Sequence, residues 1–202
     1  MKVLYAAVFL WRSDDESPLK LATAEDLSSF SFFERTTIRE HLTFASRTTC
    51  QRTSAGVRQT VTLTDIPFVC HVHVRQDRMA GVVICDSEYP VRVAFSLIGR
   101  FMRAMDTEHA NEWANVTADA NLAIADMDAD LKRYQNPENA DKLTQVQKNL
   151  DDVKDIMHKN IEEILKRGET IDSLMAKSED LTGISVAFYK GAKRNNQCCK
   201  MY

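Results

Sequence analysis

Cys198 and Cys199 are the residues of this chain best placed for covalent chemistry, because Cys199-Lys200-Met201-Tyr202 has the Cys-a-a-X length of a prenylation signal. Cys198, beside it, is a candidate for reversible palmitoylation. One lipid chain gives marginal, reversible membrane binding and a second makes it stable, so two adjacent cysteines could switch a soluble chain onto a membrane. The signal departs from the usual pattern at two positions: Lys200 is polar where an aliphatic is usual, and Tyr202 is not a usual last residue. An unmodified thiol pair is the alternative. Lys190, Lys193, Arg194 and Lys200 would add a minor attraction to an anionic leaflet.

The other groups that could do chemistry read as structural. His71 and His73 share one strand face, but no third ligand follows at a useful spacing, so a packed or exposed strand histidine is expected. Cys50, Cys70 and Cys85 sit within apolar or helical patterns and indicate packing. With no metal or disulfide spacing among the five cysteines, a reduced, cytosolic setting fits. The carboxylates Asp151, Asp152, Glu162 and Glu163 fall on a solvated face rather than forming an acid/base pair. No Gly-rich phosphate loop, metal-ligand helix or nucleophile motif occurs, and nothing supports an enzyme.

Arg167 is a different kind of residue, because it interrupts a periodic apolar seam. Leu143, Val146, Leu150, Val153, Met157, Asn160, Ile164, Arg167, Ile171, Leu174, Ser178, Leu181, Ser185, Phe188, Ala192 and Asn195 recur at alternating steps of three and four. That spacing keeps one face of a slightly underwound helix turned toward a partner, as in a coiled coil. Eleven of the sixteen positions are apolar, and only Gly168 and Gly183 weaken the helix. Burying Arg167 is costly unless its donors find acceptors on facing helices. The alternative is a generic coiled coil in which Arg167 is a solvated register defect. Alone, such a seam does not hold itself together, since ordering each residue costs about 1–2 kcal/mol of backbone entropy. It must assemble with other helices, fold back on the rest of the chain, or stay largely disordered.

The elements before the seam are those of one ordinary domain. A formal charge of −3 with 27% charged residues argues against a nucleic-acid binder. No apolar run reaches about eighteen residues, the length that spans a bilayer. Val3 to Trp11 is almost continuously apolar and reads as a strand covered on both faces. A turn at residues 13–18 leads to a second strand over Leu19 to Ala24. Ser28-Ser29 offer caps for a helix running to about Arg52, with Ile38, Leu42, Ala45 and Thr49 on its core face. Phe44 lies well off that stripe, beside Thr37 and Thr48, and so belongs to a second contact, packs under a neighbouring loop, or is exposed. Two alternating strands follow over residues 57–63 and 68–74, and an apolar fifth strand over residues 79–85. Phe95, Ile98, Met102 and Met105 mark a second helix, and residues 118–134 read as a third. Asn136-Pro137 is the boundary before the seam.

Two strands, a helix, three strands and two helices is the order of a longin domain. Ser28-Ser29-Phe30-Ser31-Phe32-Phe33-Glu34-Arg35, Ala80-Gly81-Val82-Val83-Ile84-Cys85-Asp86, Glu88-Tyr89-Pro90 and Arg133-Tyr134-Gln135-Asn136-Pro137 resemble the lipid-anchored longin R-SNARE of the YKT type. Lys166-Arg167-Gly168-Glu169 with its flanking layers is similar to the centre of a synaptobrevin-like R-SNARE motif. The resemblance covers nearly the whole chain and is least familiar over residues 105–127.

It implies an α+β fold: a profilin-like longin domain over 1–136 with a five-stranded antiparallel sheet and flanking helices. A long coiled-coil helix over 139–196 and a lipidation tail over 197–202 would follow. Arg167 would be the central layer, facing three glutamines from Q-SNARE helices in a parallel four-helix bundle. No cofactor is implied beyond covalent prenyl and palmitoyl groups, prenyl on Cys199 and palmitoyl on Cys198. The implied function is vesicle docking and fusion in ER–Golgi, intra-Golgi and endosomal or vacuolar transport. The implied localisation is a cytosolic pool that cycles to the cytosolic faces of those membranes. Before assembly the seam would fold back over its own longin domain with Phe44 in the contact, shielding the lipid as well. Phosphorylation at the small layers Ser178 and Ser185 would then block the bundle. The rival reading is a longin adaptor that joins a trafficking complex by a coiled coil without driving fusion.

Overall fold

The computed structural model describes residues 2–63, 67–110, 112–138, 140 and 156–198, with side chains as far as residue 193 in the last segment. Strand β1 (Val3–Leu10) is buried along its whole length because both faces of the sheet are covered. Val3, Ala6, Val8 and Leu10 pack on one side, while Leu4, Tyr5, Ala7 and Phe9 pack on the other. Antiparallel to it run β2 (Leu19–Glu25) and β5 (Met79–Asp86). β4 (Phe68–Val74) pairs with β5, and β3 (Arg58–Thr62) with β4, both antiparallel.

Helix α1 (Arg35–Gln51) covers the face that buries Phe9, Val61 and Cys70. Helix α2 (Val91–Glu108) covers the other, with Phe95, Ile98, Phe101 and Met102 in its core. α2 crosses the sheet so closely at Gly81 that a β-carbon there would stand 2.6 Å from Ile98 Cγ2, so the strand carries no side chain at that point.

Two local expectations need correction. Ser28 and Ser29 do not cap α1; the chain turns through Phe30, and Ser31 donates from its amide and its hydroxyl to the Glu34 carboxylate at 3.2 and 2.6 Å just ahead of the helix. Residues 118–134 are not one helix, since α3 spans only Met127–Arg133. Asp126, at φ 60°, breaks the helix on its N-terminal side. Ahead of it the chain lies extended along the edge of β2: Ala120 N–H donates to Lys20 O and Leu122 N–H to Leu21 O, both at 2.8 Å. An edge strand with unpaired carbonyls outcompeted a short helix. Ile124, Met127, Leu131 and Tyr134 still bury together, and that shared burial is what their spacing encoded.

The five expected strands are joined by a sixth from inside the seam. β6 (Met157–Asn160) adds to the edge of β3 in parallel register, Thr60 opposite His158, giving the order β2-β1-β5-β4-β3-β6. A 3-10 turn (Ile161–Ile164), α4 (Ile171–Lys177) and α5 (Gly183–Cys198) complete the tail. The expected long helix is therefore broken in this state. Asn160 and Thr170 each start a new turn with a reciprocal capping box, and Gly168 sits at φ +89°. A lone amphipathic helix gains nothing from an unpaired seam, whereas these pieces bury part of theirs against the domain.

Candidate functional site

The site is the surface on which the tail docks, built on the face of α1 that carries Phe44. Phe44 is 7% exposed yet belongs to neither main core cluster. It and Leu174 line a cavity of about 830 Å³ between α1 and the tail. Ile161 and Ile164 join the cluster of Leu42, Ala45, Val61 and Leu63, and Ile171 packs against it.

Charged groups ring this apolar contact. Arg52 donates twice to the Glu169 carboxylate, at 2.8 and 3.0 Å. Arg47 holds Asp180 at 2.8 and 3.0 Å and Asp119 at 2.6 and 3.1 Å, with a further hydrogen bond to the Pro18 carbonyl. Burial opposes the charge on Arg47, but the carboxylates of Asp119 and Asp180 overrule it and drive its pKa upward. Glu40 accepts from the Thr182 amide and hydroxyl at 2.8 and 2.9 Å. His41 Nε2 donates to the Ser185 carbonyl at 3.1 Å, and its ring lies 6.0 Å from that of Tyr189. Burial there pushes the His41 pKa below its ordinary value, against the pull of that carbonyl and of Glu40. Lys166 pairs with Asp15.

The seam residues take unequal places in this state. Ile164 and Ser185 are buried; Ile171, Leu174, Ser178 and Leu181 are half-buried; Met157, Asn160, Phe188 and Ala192 are exposed. Arg167 is exposed in the turn closed by Glu169 N–H on Lys166 O at 2.9 Å. The seam is thus partly hidden, and off-seam Ile161 and Met175 supply burial that heptad spacing does not mark. Leu143, Val146, Leu150, Val153 and Cys199 lie outside the described residues, as do the side chains of Asn195 and Cys198.

Sequence reasoning missed Glu40, His41, Arg47, Arg52, Glu169 and Asp180. The available signal was the stripe through Phe44, since Glu40 and Arg47 lie four before and three after it.

The groups set aside earlier behave as packing. His71 is buried, with Nδ1 2.9 Å from Thr60 Oγ1 and its ring edge-on to Phe95; burial, with His158 nearby, pushes its pKa down to about 4. Cys50, Cys70 and Cys85 are buried, and burial raises the Cys70 thiol to about 12. Among the described residues no three His, Cys, Asp or Glu side chains converge to hold a metal, and no helix is long and apolar enough to cross a membrane.

A sheet sandwiched between helices, with a seam-bearing tail folded against it, defines a class: an R-SNARE that carries its own longin domain. Two family models match accordingly, the regulated-SNARE-like longin domain over residues 27–128 and synaptobrevin over residues 142–202. The chain is 42% identical to the synaptobrevin homolog YKT6 of Yarrowia lipolytica and 42% identical to that of Saccharomyces cerevisiae, each over 98% of both chains. It is 40% identical to ykt6 of Schizosaccharomyces pombe over 96% of both. The chain belongs to the YKT6 family of synaptobrevin homologues, R-SNAREs of vesicle trafficking that work by assembly into SNARE complexes rather than by catalysis.

Proposed function

We propose that the chain is a fusion R-SNARE that pairs its seam with three glutamine-bearing helices of Q-SNAREs on an opposing membrane, and that the docked tail is its resting state. In the bundle the layers from Leu143 to Asn195 supply apolar burial. Arg167 fixes the register, because a shifted alignment would bury its charge without acceptors. Cys199 carries the prenyl group and Cys198 the palmitoyl group, so zippering toward Asn195 draws the lipid-held end against the partner membrane. The protein cycles between cytosol and the cytosolic faces of Golgi, vesicle and endosomal or vacuolar membranes.

The observation that carries this reading is that residues of one seam, Ile164 and Ser185 among them, are buried against the domain in the absence of partners. Those side chains serve the domain or the bundle, not both, and the two states therefore compete. A phosphate on Ser185 would be excluded from both.

The test is assembly with three Q-SNARE helices followed by electrophoresis in detergent. A heat-resistant four-chain complex, with Arg167→Leu impairing liposome fusion, is expected. Normal fusion by Arg167→Leu, or no complex at all, would overturn the proposal. Mass spectrometry of the C-terminal peptide from native cells tests the lipids separately.

A further inference from the structure

We propose that Ser17, on the turn between β1 and β2, is a phosphorylation site whose phosphate draws Arg47 off the tail and so opens the docked state. This rests on the reading above that the docked tail is the resting state.

The β1–β2 turn reaches the tail by three routes. Asp15 pairs with Lys166. The Asp14 carbonyl accepts from Arg52, which holds Glu169, and the Pro18 carbonyl accepts from Arg47, which holds Asp180. Residues 14–17 are exposed, as access by a modifying enzyme requires. Of the two serines on the turn, Ser13 is half-buried, and its hydroxyl oxygen closes the turn by accepting from the Glu16 amide at 3.1 Å. Ser17 is exposed, its hydroxyl makes no hydrogen bond among the described residues, and it lines the cavity between α1 and the tail together with Arg47. The modification is transfer of the γ-phosphoryl group of ATP by a protein kinase. A bond forms from Ser17 Oγ to phosphorus as the bond to the bridging oxygen breaks; ADP leaves with that electron pair, and the hydroxyl proton passes to a base of the kinase.

Arg47 is the cation such a phosphate meets, because its guanidinium already grips the residue next to Ser17. That guanidinium has no donor to spare. Nε goes to Asp180, Nη1 to Pro18 and Asp119, and Nη2 to Asp119 and Asp180, which engages every N–H it has. A phosphate, with more charge than a carboxylate, therefore binds Arg47 only by displacing one of these partners. Asp119 is held a second time, by the Lys20 amide at 2.9 Å, and Pro18 is held by the chain itself. The Asp180 carboxylate accepts from Arg47 alone among the described residues, so it is the one that leaves. Its side chain is largely buried when docked, and without a cation that burial disfavours docking. Repulsion acts in the same direction, since the tail wall of the cavity carries Glu179 and Asp180 against Lys177. Arg12 and Lys166 are already engaged, by Glu16 at 2.7 Å and by Asp15.

The experiment uses the full, unlipidated chain with phosphoserine installed at position 17 by codon reassignment, and follows hydrogen exchange at Met157–Asn160 with no Q-SNARE present. Exchange there should quicken by about tenfold over the unmodified chain, with the protection of β1 unchanged, and phosphatase treatment should reverse it. In Asp180→Asn, where the charged competitor for Arg47 is already gone, the phosphate should add less than about twofold. Unchanged exchange, or slower exchange because the phosphate locks onto Lys177, would overturn the proposal. So would equal acceleration in Asp180→Asn, which would mean that the phosphate merely loosens the turn. Mass spectrometry of residues 13–20 from native cells tests the modification itself: phosphate on Ser17 is expected, and its absence, or phosphate on Ser13 instead, overturns the assignment. Because no Q-SNARE takes part, failure here leaves the four-chain assembly test untouched.

Discussion

Arg47 joins three parts of the chain through one guanidinium: the β1–β2 turn at Pro18, the extended stretch at Asp119, and the tail at Asp180. Its side chain and that of Asp180 are both largely buried, so this pair is screened less than a surface ion pair. Asp180→Asn keeps the shape and the Asp119 pairing but removes the charge that reaches across. It should weaken docking by about 1–2 kcal/mol, read as faster hydrogen exchange at Met157–Asn160 with an unchanged domain.

His41 adds a pH dependence. Burial depresses its pKa in the docked state, so docking is fully stable above the free-histidine value of about 6.5 and loses stability as pH falls below it, through the depressed docked value. Glu40, the Ser185 carbonyl and Tyr189 are the groups facing it; Glu40, whose own pKa is lowered by its bonds to the tail, releases in the same direction only at more acid pH. Limited proteolysis of the tail should therefore accelerate from pH ~7.5 to ~5.5. His41→Gln should flatten that response.

Among the elements, the turn holding Arg167 is where the docked tail departs from the continuous helix proposed for the bundle. Gly168, at φ +89°, has open space where a β-carbon would stand, so the cost of a substitution there is conformational rather than steric. Gly168→Ala would strain the docked turn by about 1 kcal/mol and favour the continuous helix by about another 1 kcal/mol. The balance should move toward the undocked form by roughly thirtyfold, seen as faster capture by Q-SNARE helices.

The same elements show what was legible beforehand. β1 could be read because a run buried on both faces has no polar interruptions, and Phe44 because an aromatic off the core stripe needs a second partner. The breaks at Asn160, Gly168 and Thr170 were hidden because heptad spacing describes the assembled helix, and the same residues serve a sheet edge and two short helices when docked. Arg52–Glu169 and Arg47–Asp180 join residues over a hundred positions apart, and such pairs leave no local spacing to find.

At the scale of the whole molecule, the tail is held by a strand, a 3-10 turn and two helices that share one surface. Ile164 and Ile171 share the cluster of Leu42 and Ala45, and Ser185 is bonded to His41 on the same helix, so release of one piece exposes the next. Q-SNARE helices should then remove exchange protection from β6, α4 and α5 at a single rate. Separate rates would mean that the tail leaves in stages.

That arrangement also has a cost on departure. β6 is the outermost strand, and when it leaves, the backbone groups of Gln59 to Thr62 that face it lose their partners along that rim. A molecule released in this way would carry an adhesive border, kept brief by its four residues and softened by Gln59, Thr60 and Thr62. The tail serves its own domain as a stopper against self-association, and molecules that uncork without finding partners are those most prone to clump.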